Sequence, residues 1–300
     1  MALSQATVAI VGLGLMGGSL GKALVKNRSC RRVRALVRRP GMARTAVALE
    51  AAHVASTEPG LVLDDANLVV FATPVRTIER QIRDLQGYFK SGTVVTDMGS
   101  VKGPIVETME QLPRGIFAVG GHPMCGKEIS GLEASDDTLF QGKTWALVPL
   151  RNSDSQAMAL LNELIDAVGA RSVVMSAQDH DESVACVSHL PYLLASTLVS
   201  VAEQTGQEQP RVWDLASSGF RDTSRVAAGD LTMMLDIIDS NRDNILTMLG
   251  QTRRHIDKLI ELLTDHDEKG LRGVLSDARR RRIGMFQNNS PTRTGKVSHG

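Results

Sequence analysis

The chain has 300 residues, a formal net charge of +1 and an apolar fraction of 42%. So balanced a charge gives no global field to recruit nucleic acid or an anionic membrane, and an aromatic fraction of only 3% disfavours stacking on single-stranded bases. Cys30, Cys125 and Cys186 are scattered, which excludes a disulfide framework or zinc site and fits a reducing, cytoplasmic compartment; no signal peptide or membrane-spanning run is expected either.

Val8–Val11 reads as a short buried strand. It runs into Gly12-x-Gly14-x-x-Gly17, with Leu15 and Met16 completing the loop, and then into a helix-compatible segment ending at Lys26. Gly12 permits a tight turn, Gly14 lets a pyrophosphate approach the backbone, and Gly17 lets the helix pack close to the strand. The helix N-terminus adds unpaired N–H groups and a partial positive charge. This order predicts a dinucleotide site. The second strand is Val33–Val37. NAD sites carry an acid at its end to bind the ribose 2′-OH. Here no Asp or Glu occurs between Lys22 and Leu49, Val37 takes the acid's place, and Arg38 and Arg39 follow. Two guanidinium groups suit a 2′-phosphate, so NADP is expected in preference to NAD.

Further strands are expected at Leu68–Ala72, Thr93–Thr96, Phe117–Val119, Trp145–Pro149 and Ser172–Met175. Helices fall near Met42–Ala51, Val75–Leu85, Val101–Glu110 and Ser155–Val168. Such alternation predicts an α/β fold, with a doubly wound parallel sheet of Rossmann type over residues 1–175. From residue 176 to 285 helical periodicity takes over, at Asp179–Thr205, Val212–Ser217, Leu231–Ser240, Asn241–Asp265 and Glu268–Arg282. This predicts an all-helical second domain. Leu190–Val201 is apolar over most of its surface, which predicts a helix buried on all sides at a homodimer interface. Arg279–Arg282 complement a helix C-terminus rather than bind nucleic acid. Residues 286–300 are polar and read as a disordered tail.

Three motifs fall at the ends of the third to fifth of these strands: Thr73-Pro74, Asp97-Met-Gly-Ser100-Val-Lys102 and Gly120-Gly-His122-Pro-Met124. Ligands of doubly wound sheets bind outside the carboxyl ends of the strands. The motifs therefore converge on the glycine loop, with Thr73 and Pro74 on the cofactor side. His122, between Gly121 and Pro123, reads as a rigid turn that exposes its ring. Ser100 opens a helix, as a cap or as a functional hydroxyl. The second domain offers Ser188-His189-Leu190-Pro191 and Ser217-Ser-Gly-Phe-Arg221-Asp-Thr-Ser-Arg225. Arg221 and Arg225 are four apart and would share a helix face, a pair suited to a dianionic substrate. For Arg221, an intersubunit ion pair with Asp222 is an equal alternative. No metal-ligand cluster is visible.

The set GLGLMGGSL, DMGSVK, GGHPMCGKEISG, SHLP and SSGFRDTSR resembles the prephenate/arogenate dehydrogenase family of tyrosine biosynthesis, over residues 7–282. The resemblance implies an oxidative decarboxylation: hydride leaves C4 of a cyclohexadienol for the nicotinamide, CO₂ departs, and the ring becomes aromatic. It implies His122 as the base for the C4 hydroxyl, Ser100 as its support and Arg225 as the ring-carboxylate anchor; Arg221 and His189 are further substrate-binding candidates. Many prephenate-using members read His-Leu-Pro-His, whereas here the fourth position is Tyr192. With the missing second-strand acid, this is most similar to the NADP-dependent arogenate dehydrogenase branch. Glu128 is the candidate partner for the arogenate ammonium. The alternatives are a prephenate dehydrogenase, another enzyme of β-hydroxyacid dehydrogenase type, or a non-enzymatic NADP-binding redox sensor.

Overall fold

The computed structural model describes residues 1–127 and 129–287. Chain order begins β1 (Thr7–Val11), α1 (Leu15–Lys26), β2 (Arg32–Leu36), α2 (Pro40–Ala48), β3 (Val54–Ser56), α3 (Pro59–Leu63), β4 (Leu68–Phe71) and α4 (Val75–Leu85). It continues with β5 (Val94–Asp97), α5 (Gly103–Met109), β6 (Phe117–Pro123), β7 (Thr144–Pro149), α6 (Ser155–Ala167) and β8 (Arg171–Val174). The strands form one sheet in the order β3-β2-β1-β4-β5-β6-β7-β8. The first six are parallel; β7 runs antiparallel to β6, and β8 follows β7. The all-parallel expectation is thus corrected at one edge. The chain between β6 and β7 holds no helix among the described residues, and without a crossover helix a strand returns antiparallel. β3 and α3 escaped the sequence reading because each is only three to five residues long.

Strand alternation gives the sheet two apolar faces. Val8 and Ile10 pack with Leu20 and Leu24 of α1 and Leu160 and Leu164 of α6. Ala9 and Val11 face the other way, into a core with Ile78 and Ile82 of α4 and Ile105 and Met109 of α5.

After β8 come α7 (Ala177–Val184), a π-helical turn (Ala185–His189), α8 (Leu190–Glu208), α9 (Ser218–Ser224), α10 (Leu231–Ser240), α11 (Arg242–Thr264) and α12 (Glu268–Gln287). Val212–Ser217, expected as helix, is a 3₁₀ turn over Pro210–Leu215. By packing, the chain forms one unit over Met1–Ile245 and a second from Leu246 on. Within the first unit, Met234 and Ile237 of α10 join the core around α4 and α5.

Residues Ala177–Glu208 make one continuous helix, long and apolar enough by length and composition to cross a membrane. Its α8 part is not buried on all sides in the single chain, as the sequence led one to expect. Ala195 is its one buried residue, while Leu194 and Val201 are exposed. The tail expected as disordered lies, from residue 288 on, outside the described residues.

Candidate active site

The glycine loop has the geometry its residues imply. Gly12 sits at φ +96°, in the left-handed region, and its N–H donates to the Leu36 carbonyl at 3.1 Å. The end of β2 therefore lies against the loop. A methyl group on Gly17 would overlap the Gly12 carbonyl oxygen, so α1 approaches β1 only because Gly17 lacks one. Gly14 caps α1 without a side-chain hydrogen bond, and the space beside its Cα is open. Leu15 and Met16 follow, half-buried, in the first turn of α1. An uncapped helix N-terminus facing open space fits a dinucleotide pyrophosphate. Thr73 and Pro74 end β4 beside this loop: the Thr73 methyl lies where a Gly12 side chain would stand, and Thr73 donates to Gln81 at 2.7 Å. Val37 is buried and its N–H donates to Ser56, while Arg38 and Arg39 are exposed in the turn before α2.

His122 is not in a turn. β6 continues three residues past the level of β5, because β7 pairs with it, His122 opposite Ala146. A strand held on one side only carries the histidine beyond the parallel edge, where the ring is half-buried. His122 shares a face with Gly120, the face covered by Val106 and Lys102. Beneath it is a fully buried ion pair. The Lys102 ammonium binds Asp97 and donates to the Gly121 carbonyl at 2.6 Å, and Asp97 accepts from Gly99 and Gly121 N–H at 2.7 and 2.9 Å. Burial pushes the Lys102 pKa down, and the Asp97 charge opposes the shift.

Ser100 does not cap a helix. α5 starts at Gly103, and the Asp181 carboxylate caps it from α7, accepting from Lys102 N–H at 2.7 Å and Gly103 N–H at 2.8 Å. Ser100 is left half-buried in the preceding loop. The next residue back, His180, places Nδ1 2.6 Å from Asp181 Oδ1 and Nε2 2.8 Å from His122 Nδ1. Asn241 donates to the Asp181 carbonyl at 2.8 Å, with its Nδ2 3.2 Å from His189 Nδ1. His122, His180, Asp181, Asn241 and His189 thus form one connected cluster. His180, Asp181 and Asn241 were not singled out from sequence, and Asp97 and Lys102 stood in a quoted motif without their pairing being read from it. A signal existed: stepping back one turn from the buried Val184–Ala185 stripe lands on His180 and Asp181.

Burial holds the His122 pKa well below 6.5, and the charges of His180, Lys102 and His189 add to the shift. His189, 1% exposed, is held at about 4, again by burial first, with Asp181 opposing and His180 adding. An unfolded histidine titrates near 6.5, so between these values the unfolded chain binds more protons and stability falls as pH falls. For His189 this loss reaches about 3 kcal/mol at pH 4. Urea midpoints measured from pH 7 to 4 should fall, with a shallower fall in His189→Gln.

Arg221 and Arg225, four apart, stand on continuous helical backbone, Arg225 as the C-cap of α9. Arg221 lies in α9, exposed and paired 3.2 Å from its own neighbour Asp222. Arg225 begins a 3₁₀ turn, Arg225–Ala228, packed on α8. Glu128 lies outside the described residues. Among those residues, no three His, Cys, Asp or Glu side chains group to hold a metal ion.

Two family models match the chain: the prephenate dehydrogenase nucleotide-binding domain over residues 20–174, and the prephenate dehydrogenase dimerization domain over 176–277. The prephenate dehydrogenase of Bacillus subtilis (strain 168) is 31% identical over 281 residues, which is 93% of this chain and 76% of that protein. The chain belongs to the prephenate/arogenate dehydrogenase family. The dehydrogenase also superposes on solved structures. The A. aeolicus prephenate dehydrogenase, in complex with hydroxyphenyl propionate and NAD+, gives a TM-score of 0.87 at 31% identity, with 95% of this chain and 100% of that one covered. Synechocystis arogenate dehydrogenase gives 0.82 at 29% identity, covering 93% and 99%. The dehydrogenase is therefore an oxidoreductase of a family that uses NAD(P).

Proposed function

We propose that this dehydrogenase converts arogenate to tyrosine with NADP as oxidant, and that it works in the cytoplasm as a homodimer. The carrying observation is the exposed Arg38–Arg39 pair at the end of β2, beside the glycine loop, where Val37 is buried and no carboxylate stands. Gly12, Gly14, Leu15, Met16 and Gly17 would hold the pyrophosphate, Thr73 and Pro74 would flank it, and the two arginines would bind the 2′-phosphate. The chemistry a bound cofactor supplies is acceptance of the C4 hydride. His122 takes the proton of the C4 hydroxyl on Nε2, which its low pKa keeps free at neutral pH. Ser100 supports that hydroxyl. Arg225, with Arg221 beside it, holds the ring carboxylate until the C–C bond breaks; its electron pair then completes the aromatic ring and CO₂ leaves. His189 donates to the substrate side chain through Nε2, its Nδ1 being turned to Asn241.

Tyr192 supports arogenate over prephenate. It packs against the core that includes Met234 and Ile237, and as a tyrosine the fourth position of Ser-His-Leu-Pro-Tyr offers no cation to a keto-acid side chain. Glu128 is proposed as the ammonium partner. Residues 1–175 serve as the nucleotide domain and 176–285 as the substrate and dimerisation domain. The exposed apolar side of α8 lies within the stretch that matches the dimerization model, so a second copy, rather than lipid, is its partner.

The test is nucleotide reduction with CO₂ trapping, run with arogenate and with prephenate, each against NADP and NAD. The expected result is CO₂ and NADPH from arogenate; faster turnover of prephenate, or a tenfold preference for NAD, contradicts the assignment. Arg38→Ala with Arg39→Ala should raise KM for NADP about tenfold to a hundredfold, as expected for a lost charged hydrogen bond of roughly 1.5–3 kcal/mol, and should leave KM for NAD unchanged.

A further inference from the structure

The imidazole assigned as base does not stand alone: its Nδ1 lies 2.8 Å from Nε2 of His180, whose own Nδ1 lies 2.6 Å from Asp181 Oδ1. His180 is 1% exposed and Asp181 6%. We propose that Asp181 and His180 are positioning residues that set the tautomer of His122, putting its ring proton on Nδ1 and leaving Nε2 as the acceptor.

The polarity runs one way. The Asp181 oxygens already accept two backbone N–H groups at the start of α5. A carboxylate so held faces His180 Nδ1 as an acceptor, so that nitrogen carries the proton. Neutral His180 then has only a lone pair on Nε2. At 2.8 Å from another ring nitrogen, that lone pair needs a donor, which only a proton on His122 Nδ1 can supply. The opposite tautomer would turn two lone pairs on each other at 2.8 Å, a repulsive contact in place of a hydrogen bond. Nε2 of His122 makes no hydrogen bond among the described residues, so the lone pair the relay leaves there is free to take a proton. When it does, the Nδ1–H bond becomes charge-assisted, and the Asp181 charge lies behind it. Because Asp181 also caps α5, the loop carrying Ser100 and the ring of His122 are set by one carboxylate.

This positioning role rests on His122 being the base, so tautomer and turnover are read separately. Two-bond ¹H–¹⁵N spectra of the full-length protein labelled at histidine, with the His122 signals assigned by their absence in His122→Asn, report which ring nitrogen is protonated. The expected result is Nδ1–H for His122 in the wild type. In Asp181→Ala no acceptor holds the His180 proton on Nδ1, so His180 can donate from Nε2 and His122 shifts to Nε2–H. kcat should then fall about 10²–10⁴-fold with nucleotide affinity kept, as happens when a reversed tautomer disables a protease triad. Asp181→Glu should restore the wild-type tautomer. An Nε2–H signal for His122 in the wild type overturns the proposal without any variant having to fold, and so does an unchanged tautomer in Asp181→Ala. A reversed tautomer with undiminished kcat upholds the relay and removes His122 as the base.

Discussion

Replacing His122 by Asn should lower turnover by about 10²–10⁴-fold while nucleotide affinity stays within a few-fold of the wild type. Asparagine preserves the strand: the pairing of β6 with β7 opposite Ala146 is made by backbone groups that the substitution does not touch. It removes the one group proposed to accept the hydroxyl proton, so hydride loss would have to leave a developing cation without a base. The dinucleotide loop belongs to β1 and α1 and is untouched, so equilibrium binding of the nicotinamide nucleotide is the control. The pH dependence adds a second reading. The His122 pKa is depressed, so the base is already neutral at pH 6.5. kcat/KM of the wild type should therefore be flat from about 6.5 upward and decline only in more acidic solution. That acid limb should be missing from the residual activity of the variant. An acid limb centred above pH 6.5, or undiminished turnover, would remove His122 from the chemistry.

The second large effect is on stability. Lys102→Met should destabilise the fold by about 3–5 kcal/mol, the usual consequence of leaving one partner of a buried ion pair uncompensated. Both groups of the Asp97–Lys102 pair have no solvent exposure. Asp97 keeps two backbone donors, from Gly99 and Gly121, but loses the only cation that touches it among the described residues. Gly121 also loses the donor to its carbonyl. At that depth salt screens the charge far less than it does an exposed one. A shift of the urea midpoint with an unchanged slope is the measurement. A loss below about 1 kcal/mol would place the pair in the range of a surface salt bridge and contradict its burial. Sodium chloride should leave the wild-type contribution nearly unaltered, unlike that of exposed pairs such as Lys90–Asp65.

Much of this arrangement was legible in the residues. Local signals set the first half: apolar runs at Val8–Val11 and Leu68–Phe71, the glycine spacing, and amphipathic stretches such as Ser155–Ala167 each act through neighbours in sequence. What escaped depends on partners far along the chain. The extension of β6 through His122 needs β7, more than 20 residues on, to supply the second row of hydrogen bonds. The cap on α5 comes from Asp181, 78 residues beyond Gly103, so Ser100 looked like the better cap from its position alone. His180 was passed over because an imidazole inside an acidic segment, Asp179-His-Asp-Glu182, reads as a solvated helix face. It is buried where α7 docks on α5 and its ring meets His122 of β6. Leu190–Val201 was expected to be buried at a homodimer interface, and in one chain much of it is exposed. Composition gives the apolar surface, and its exposure in one chain leaves the proposed second copy as its cover.

The most direct test of the catalytic account is a crystal structure of the full-length protein with NADP and 3-(4-hydroxyphenyl)propionate bound together. The account expects the phenolic oxygen within hydrogen-bond reach of His122 Nε2, Ser100 beside it, and the Arg225 guanidinium lining the same cavity near the ring carbon that bears the side chain. A phenolic oxygen turned away from His122, or Arg225 opening onto a separate cavity, would contradict it.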